Sequence, residues 1–316
     1  MSRKVNYPKP PLSYQEQIEK LEGRGLLIEN KEKATHLLQN LSYYRLSGYW
    51  HTMLEEPKSD HKFKENSTFE QGFKMYCFDR ELRLLILNQI EKIEISLRAN
   101  IIYQCSHKWE TFWLSNPENF NLNKINRRTH NPLYVDAIST IEKEINRSKE
   151  AFVGNYKSKY TEELPPSWIT LELCSFGSLS TVFSLLKEGK REIAKIYGLR
   201  ESVLGSWIHT LVYVRNICAH HSRLWNKQLK IQPTRPRRTE KNWIENFSII
   251  DTRSNSQSLI TDRTYFVICM IQYLLQTVNP NNTFKEKLEE LFQKYPTIDR
   301  FALGYTENWQ EEDLWK

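Results

Sequence analysis

The chain has 316 residues, enough to bury a substantial core in one or two domains. Its composition, 39% hydrophobic and 26% charged, is that of an ordinary globular protein, and with 10 glycines the Gly-rich turns of a nucleotide-binding α/β fold are missing. The net charge is +7, and it is unevenly placed. No run of about 18 apolar residues offers a transmembrane helix.

In chain order the reading is helix after helix. The N-terminal stretch MSRKVNYPKPPLSYQEQ has no apolar centre, so no signal peptide is expected and the protein reads as cytoplasmic. PPLSYQEQIEKLEGRGL predicts a helix capped by Ser13, running through Ile18 and Leu21 to a glycine stop at Gly23 or Gly25. KEKATHLLQNLSYYRLSGYW predicts a second amphipathic helix closing near Gly48. The polar, proline-containing EEPKSDHKFKENS reads as a loop and a subdomain boundary. It sets an N-terminal helical extension, residues 1–60, against a helical domain of residues 61–316, the whole forming one compact unit.

The longest helix follows, in FDRELRLLILNQIEKIEISLRANIIYQ. Leu82, Ile86, Ile90, Ile93, Leu97 and Ile101 recur at three- and four-residue spacing. Asn88, Glu91, Glu94 and Arg98 form the opposite face, a solvated stripe with a Glu94–Arg98 pair at i,i+4. NPENFNLNKINRRTHNPLYV reads as a loop. AISTIEKEINRSKEAFVGNYKSKY reads as a helix, and LPPSWITLELCSFGSLSTVFSLLK as one interrupted near Gly177. ESVLGSWIHTLVYVRNICAHH, RTYFVICMIQYLLQTV and TFKEKLEELFQKY complete an all-α chain.

Charge and cysteine usage narrow the function. Between residues 205 and 245 stand eight Lys/Arg (Arg215, Arg223, Lys227, Lys230, Arg235, Arg237, Arg238, Lys241) against Glu240 and Glu245. Such a local excess attracts phosphate backbones or anionic membranes more than it stabilises a fold, the other reading being a solvated basic loop with no partner, the commoner case for charge runs. The five cysteines are scattered and form no CxxC pair, which argues against a zinc ribbon or a disulfide framework.

RNICAHHSRLWN, residues 215–226, places arginine, asparagine and paired histidines at the end of an apolar helix, where packing alone favours leucine or alanine. Asn216 and His220 lie four apart and share a face. Arg215 lies roughly 140° round the axis from His220, within reach of a guanidinium on its long stem. Arginine with histidine can break a phosphodiester without a metal. Histidine moves a proton to or from a ribose oxygen near neutral pH, arginine holds the phosphate, and Asn216 can orient either partner. RNA is favoured over DNA because it carries its own nucleophile in the 2′-hydroxyl. One His220 supplies a single acid–base group, so a two-fold homodimer pairing two helix ends is the mechanistic expectation. A histidine at a helix end also serves as a plain cap.

The same segment resembles the signature of the Abi-like (AbiD/AbiF) abortive-infection proteins of the HEPN superfamily. PPLSYQEQIEKLEGRGL, LSYYRLSGYW, IEKIEISLRANI, PPSWITLELCSFGSLS and KYPTIDRFALGYTENWQEEDLW follow that family's order of motifs. The resemblance implies an HEPN-type helical bundle and a metal-independent endoribonuclease active at a dimer interface. It also implies a phage-defence or toxin–antitoxin role, in some members with a small non-coding RNA as partner. No cofactor, metal, membrane or DNA is implied. Arg215 and His220 match the family's catalytic pair, with Asn216 beside the arginine. Where some HEPN toxins carry a modifiable tyrosine two residues after the histidine, this chain has Ser222. Some relatives only bind RNA, which leaves a non-catalytic RNA-binding protein as the alternative. His221, Arg223, Arg235, Arg237 and Arg238 are assigned to RNA, the last three within the proline-stiffened QPTRPRR. Arg45 and Arg98 are assigned either to RNA or to salt bridges within the fold. Tyr43, Tyr44, Tyr49 and Trp50 are read as core or interface, with base stacking as the other possibility.

Overall fold

The computed structural model describes Asn6, residues 8–251 and residues 256–316, and over them the chain is all-α with one small β-hairpin. Of the N-terminal stretch read for a signal peptide, residues 1–5 and Tyr7 lie outside the described residues. The chain divides into two compact units, Met1–Glu81 with Leu291–Ile298, and Leu82–Glu290 with Asp299–Lys316. The polar stretch EEPKSDHKFKENS is not a linker, because its backbone is pinned to the first unit. The Glu55 amide donates to the Lys62 carbonyl, that of Phe63 to Arg24 and that of Lys64 to Met53, each at 2.9 Å.

In the first unit, α1 (Tyr14–Glu22) begins at Ser13, whose hydroxyl accepts from the Glu16 amide while the Glu16 carboxylate accepts from the Ser13 amide. Two of the helix's orphan donors are thereby satisfied. The second expected helix is two, α2 (Lys31–Leu41) and α3 (Tyr43–Trp50). Ser42 separates them at φ 65° and ψ 148°, and its hydroxyl then caps α3 by accepting from the Arg45 amide. Ile18, Leu21, Leu38, Leu46, Trp50 and Phe63 form the shared core. Gly72 is required against that core: a Cβ there would overlap the Trp50 indole. It lies near the start of α4 (Phe69–Trp109), a helix of 41 residues.

In the second unit the apolar stripe of α4 packs as its spacing predicts, with Leu82, Ile86, Ile90, Ile93, Leu97 and Ile101 all 0% exposed. Where one helix was expected stand α5 (Leu133–Arg147) and α6 (Ala151–Lys159). The interrupted helix is α7 (Ser167–Leu173) and α8 (Phe176–Leu185), broken just before Gly177 where the Ser175 hydroxyl caps α8. A short α9 (Lys190–Ile196) leads into α10 (Glu201–Ala219). This helix packs against α8, α9 and α11 (Thr264–Val278) through Leu204, Trp207, Leu211, Val214 and Ile217. Seven consecutive residues of α11, Tyr265 to Ile271, are 0% exposed, as suits a helix apolar all round. Between α10 and α11 an antiparallel hairpin, β1 (Ser248–Asp251) with β2 (Ser256–Leu259), pairs Ser248 with Leu259. Helix α12 (Phe284–Lys294) closes the helical order. No helix among the described residues is long and apolar enough to cross a membrane.

Candidate functional site

The site grows out of the way α10 ends. Two pairs within RNICAHHSRLWN are committed to packing: Ile217 and Cys218, and Leu224 and Trp225, are buried. Arg215, Asn216, His220 and His221 are left exposed between them. His220 is the C-cap, its amide donating to the Asn216 carbonyl at 3.0 Å. His221 turns to φ 55°, the Ser222 amide reaches back to Ile217 at 3.0 Å, and the His221 amide reaches Cys218 at 3.1 Å. These two crossed bonds make a Schellman end, a place that ordinarily takes glycine. The chain then descends into the core. The Thr264 hydroxyl donates to the Leu224 carbonyl at 3.0 Å, and Asn226, at φ 49°, supplies a second left-handed turn residue.

Arg215 lies on the flank of α10 that meets α4. With Leu84, Leu87, Asn88, Glu91 and Glu94 it lines a cavity of about 430 Å³. Among the described residues its guanidinium makes one hydrogen bond, to the Asn216 Oδ1 at 3.4 Å. That bond draws the guanidinium toward the face that Asn216 shares with His220. Glu94 does not neutralise it, because that carboxylate pairs with Arg98 at 2.7 Å. The arginine therefore keeps donors available for an incoming anion. The His220 ring is exposed at the C-terminal end of α10.

The other expected contacts divide. The QPTRPRR segment is anchored to α10 itself: Trp207 Nε1 donates to the Thr234 carbonyl at 2.9 Å, and the Ser206 hydroxyl accepts from the Thr234 amide at 2.8 Å. Arg235, Arg237 and Arg238 are exposed along it and line a second cavity of about 430 Å³, with the Arg235 guanidinium 3.6 Å from the centre of the Phe247 ring. Arg223 is half-buried just past the helix end. Lys241 turns inward instead, donating to the Thr277 hydroxyl, and burial holds its amine below the usual lysine range.

Arg98 is held within the fold. Its side chain is 11% exposed, and it joins Glu94 and the Cys174 carbonyl at 2.8 Å, tying α4 to the end of α7. Arg45 is exposed in the first turn of α3, in the N-terminal unit. The aromatic cluster beside it splits: Tyr49 and Trp50 are core at 2% exposure, while Tyr44 is 89% exposed.

Two features escaped the sequence reading. Glu91, exposed as a solvated stripe requires, and the half-buried Glu94 also border the cavity beside Arg215. His209 is exposed on α10, seven residues before Asn216 and eleven before His220, so the three share one face; that spacing was legible in the sequence. Among the described residues no group of three or more His, Cys, Asp or Glu could hold a metal ion.

No curated protein and no solved structure matches the chain. A family model does, that of the Abi-like proteins, over residues 36–226, which takes in α3, all of α4 and α10, and the whole of RNICAHHSRLWN. The chain belongs to the Abi-like protein family.

Proposed function

We propose that this protein is a metal-independent endoribonuclease of the HEPN type, acting in abortive infection, with Arg215 and His220 as its working pair. The observation that carries this reading is the exposure of both side chains at the end of a helix whose Leu204, Trp207, Leu211, Val214 and Ile217 are core. In the proposed reaction one His220 takes the proton of a ribose 2′-hydroxyl. The freed oxygen bonds to the adjacent phosphorus, the bond from phosphorus to the 5′-oxygen breaks, and a second histidine protonates that oxygen. Arg215 holds the phosphate oxygens as charge builds on them. The products are a 2′,3′-cyclic phosphate and a 5′-hydroxyl.

The second histidine comes from a second copy of the chain. Within one copy the nearest other histidine on that face, His209, is eleven residues away, a rise of about 16 Å along α10. Leu84 and Ile95, exposed at 55% and 56% on α4, border the Arg215 cavity or continue its face and suit contact with a partner copy. The Arg235, Arg237 and Arg238 loop, fixed to the same helix, supports the approach of an RNA backbone, whether substrate or a small non-coding RNA that restrains the enzyme. Membership of the Abi-like family supports the defence role.

Induced expression in a bacterial host tests this reading. Wild type is expected to arrest growth, and Arg215→Ala and His220→Ala are expected to be harmless at equal protein levels. Arrest by both variants would overturn the catalytic assignment.

A further inference from the structure

The N-terminal unit contains a cavity that the proposed nuclease chemistry does not use. It holds about 480 Å³ between α1, α3 and the loop after α3, within the range of roughly 300–1,000 Å³ usual for small-molecule sites. Its lining is chemically one-sided. Lys9, Lys20, Arg24, His51 and His61 stand around it, and no aspartate or glutamate does. Among the described residues, Lys9, Lys20 and Arg24 join no ion pair; Arg24 instead donates to the Tyr43 hydroxyl at 3.2 Å, which fixes its direction. Three unneutralised cations on one cavity are unfavourable for the unit by itself and favourable for an anion.

The remaining wall is aromatic. Tyr43, Tyr44, Trp50 and Phe63 contribute rings, and Tyr44 stands at 89% exposure on a helix whose Leu46, Tyr49 and Trp50 reach the core. A tyrosine ring left in water beside a cationic cavity has a face free to stack on a flat ligand. Gln17 ties the start of α1 beside the cavity, its Nε2 donating to the Leu12 carbonyl at 2.9 Å.

We propose that this cavity binds one nucleoside monophosphate unit, its phosphate against Arg24, Lys20 and Lys9 and its base against Tyr44. The unit comes either from a free nucleotide or from one residue of a single strand, and both present the same phosphate and ring. The proposal stands on the N-terminal unit alone and does not depend on the Arg215 site.

The test is calorimetric titration of the full-length protein with adenosine 5′-monophosphate, adenosine, inorganic phosphate and a short oligodeoxyadenylate, which has no 2′-hydroxyl to be cleaved. The monophosphate is expected to bind with one-to-one stoichiometry, about 10-fold tighter than adenosine or phosphate alone. Tyr44→Ala and Arg24→Gln are each expected to weaken it about 10-fold, the size of one lost stacking or charged contact. Tyr44 is too exposed for its removal to disturb folding, so that variant remains readable if Arg24→Gln melts early. An Arg215→Ala, His220→Ala double variant is expected to bind the monophosphate as wild type does. Tighter binding of the oligonucleotide than of the monophosphate identifies a strand as the source, and the reverse identifies a free nucleotide. Absence of saturable monophosphate binding, equal binding of adenosine, or an affinity unmoved by Tyr44→Ala would overturn the proposal.

Discussion

The Ser222 amide donates to the Ile217 carbonyl at 3.0 Å across the end of α10, and the residue that must turn for this to happen is His221, at φ 55°. A side chain with a Cβ is held there in the left-handed region, at a cost of about 1 kcal/mol relative to glycine. His221→Gly is therefore expected to raise the urea midpoint of unfolding by about 1 kcal/mol of stability, and His221→Val to lower it. A fall in stability with glycine would show that the His221 side chain contributes more than its backbone costs.

Asp136 organises the loop before α5. It accepts from Asn126 at 2.5 Å, from Asn131 at 3.2 Å and from the Thr129 hydroxyl. The hydrogen bonds from Thr129 and Asn131 hold its carboxyl below the usual aspartate value. A depressed native pKa means the unfolded state binds the proton more readily. The stabilisation is thus fully present above about pH 4, the ordinary aspartate value, and is lost as pH falls through the native value. Asp136→Asn should lower the melting temperature at pH 7, and the gap to wild type should close on acidification. Melting curves across pH 2 to 7 check this.

Gly72 and the Trp50 indole occupy nearly the same space. Gly72→Ala adds one methyl with no room for it and is expected to cost roughly 1–3 kcal/mol. Trp50→Phe, with its smaller ring, should recover part of that loss when the two are combined. Additive effects in the double-variant cycle would contradict the contact.

The basic loop should be read out by salt. Each of Arg235, Arg237 and Arg238 that contacts a phosphate contributes roughly 0.7 to the slope of log affinity against log salt for a single strand. Replacing Arg237 and Arg238 by glutamine is expected to flatten that slope by about 1.4 and to leave melting unchanged, because both are exposed. Arg235→Gln should also cost stability, since its guanidinium sits 3.6 Å over Phe247.

Much of the fold was legible because it rests on periodicity. The stripe from Leu82 to Ile101, the Ser13 cap and the apolar run of α11 each follow from spacing and residue type alone. The break before Gly177 was legible too, but the one at Ser42 was not. Ser42 divides one amphipathic pattern into two helices by a single backbone angle, and the residues on either side keep the same polarity. Polar SIID and SQSL carry too little alternation to announce a hairpin; they pair because the connection between α10 and α11 brings them together. At the site, Arg215 and His220 stood out as polar residues in an apolar helix. Glu91 and Glu94 did not, because a charged face of α4 reads as solvated until α10 is laid beside it.

The central claim is that Arg215 and His220 cut RNA through its own 2′-hydroxyl, and the direct measurement is the chemistry of the product ends. Purified protein is incubated with transfer RNA in the presence of EDTA, and the fragments are mapped. The expected ends are 2′,3′-cyclic phosphate and 5′-hydroxyl, with cleavage reduced at least about 100-fold in His220→Ala and in Arg215→Ala. Fragments ending in a 3′-hydroxyl, or full activity in either variant, would contradict it.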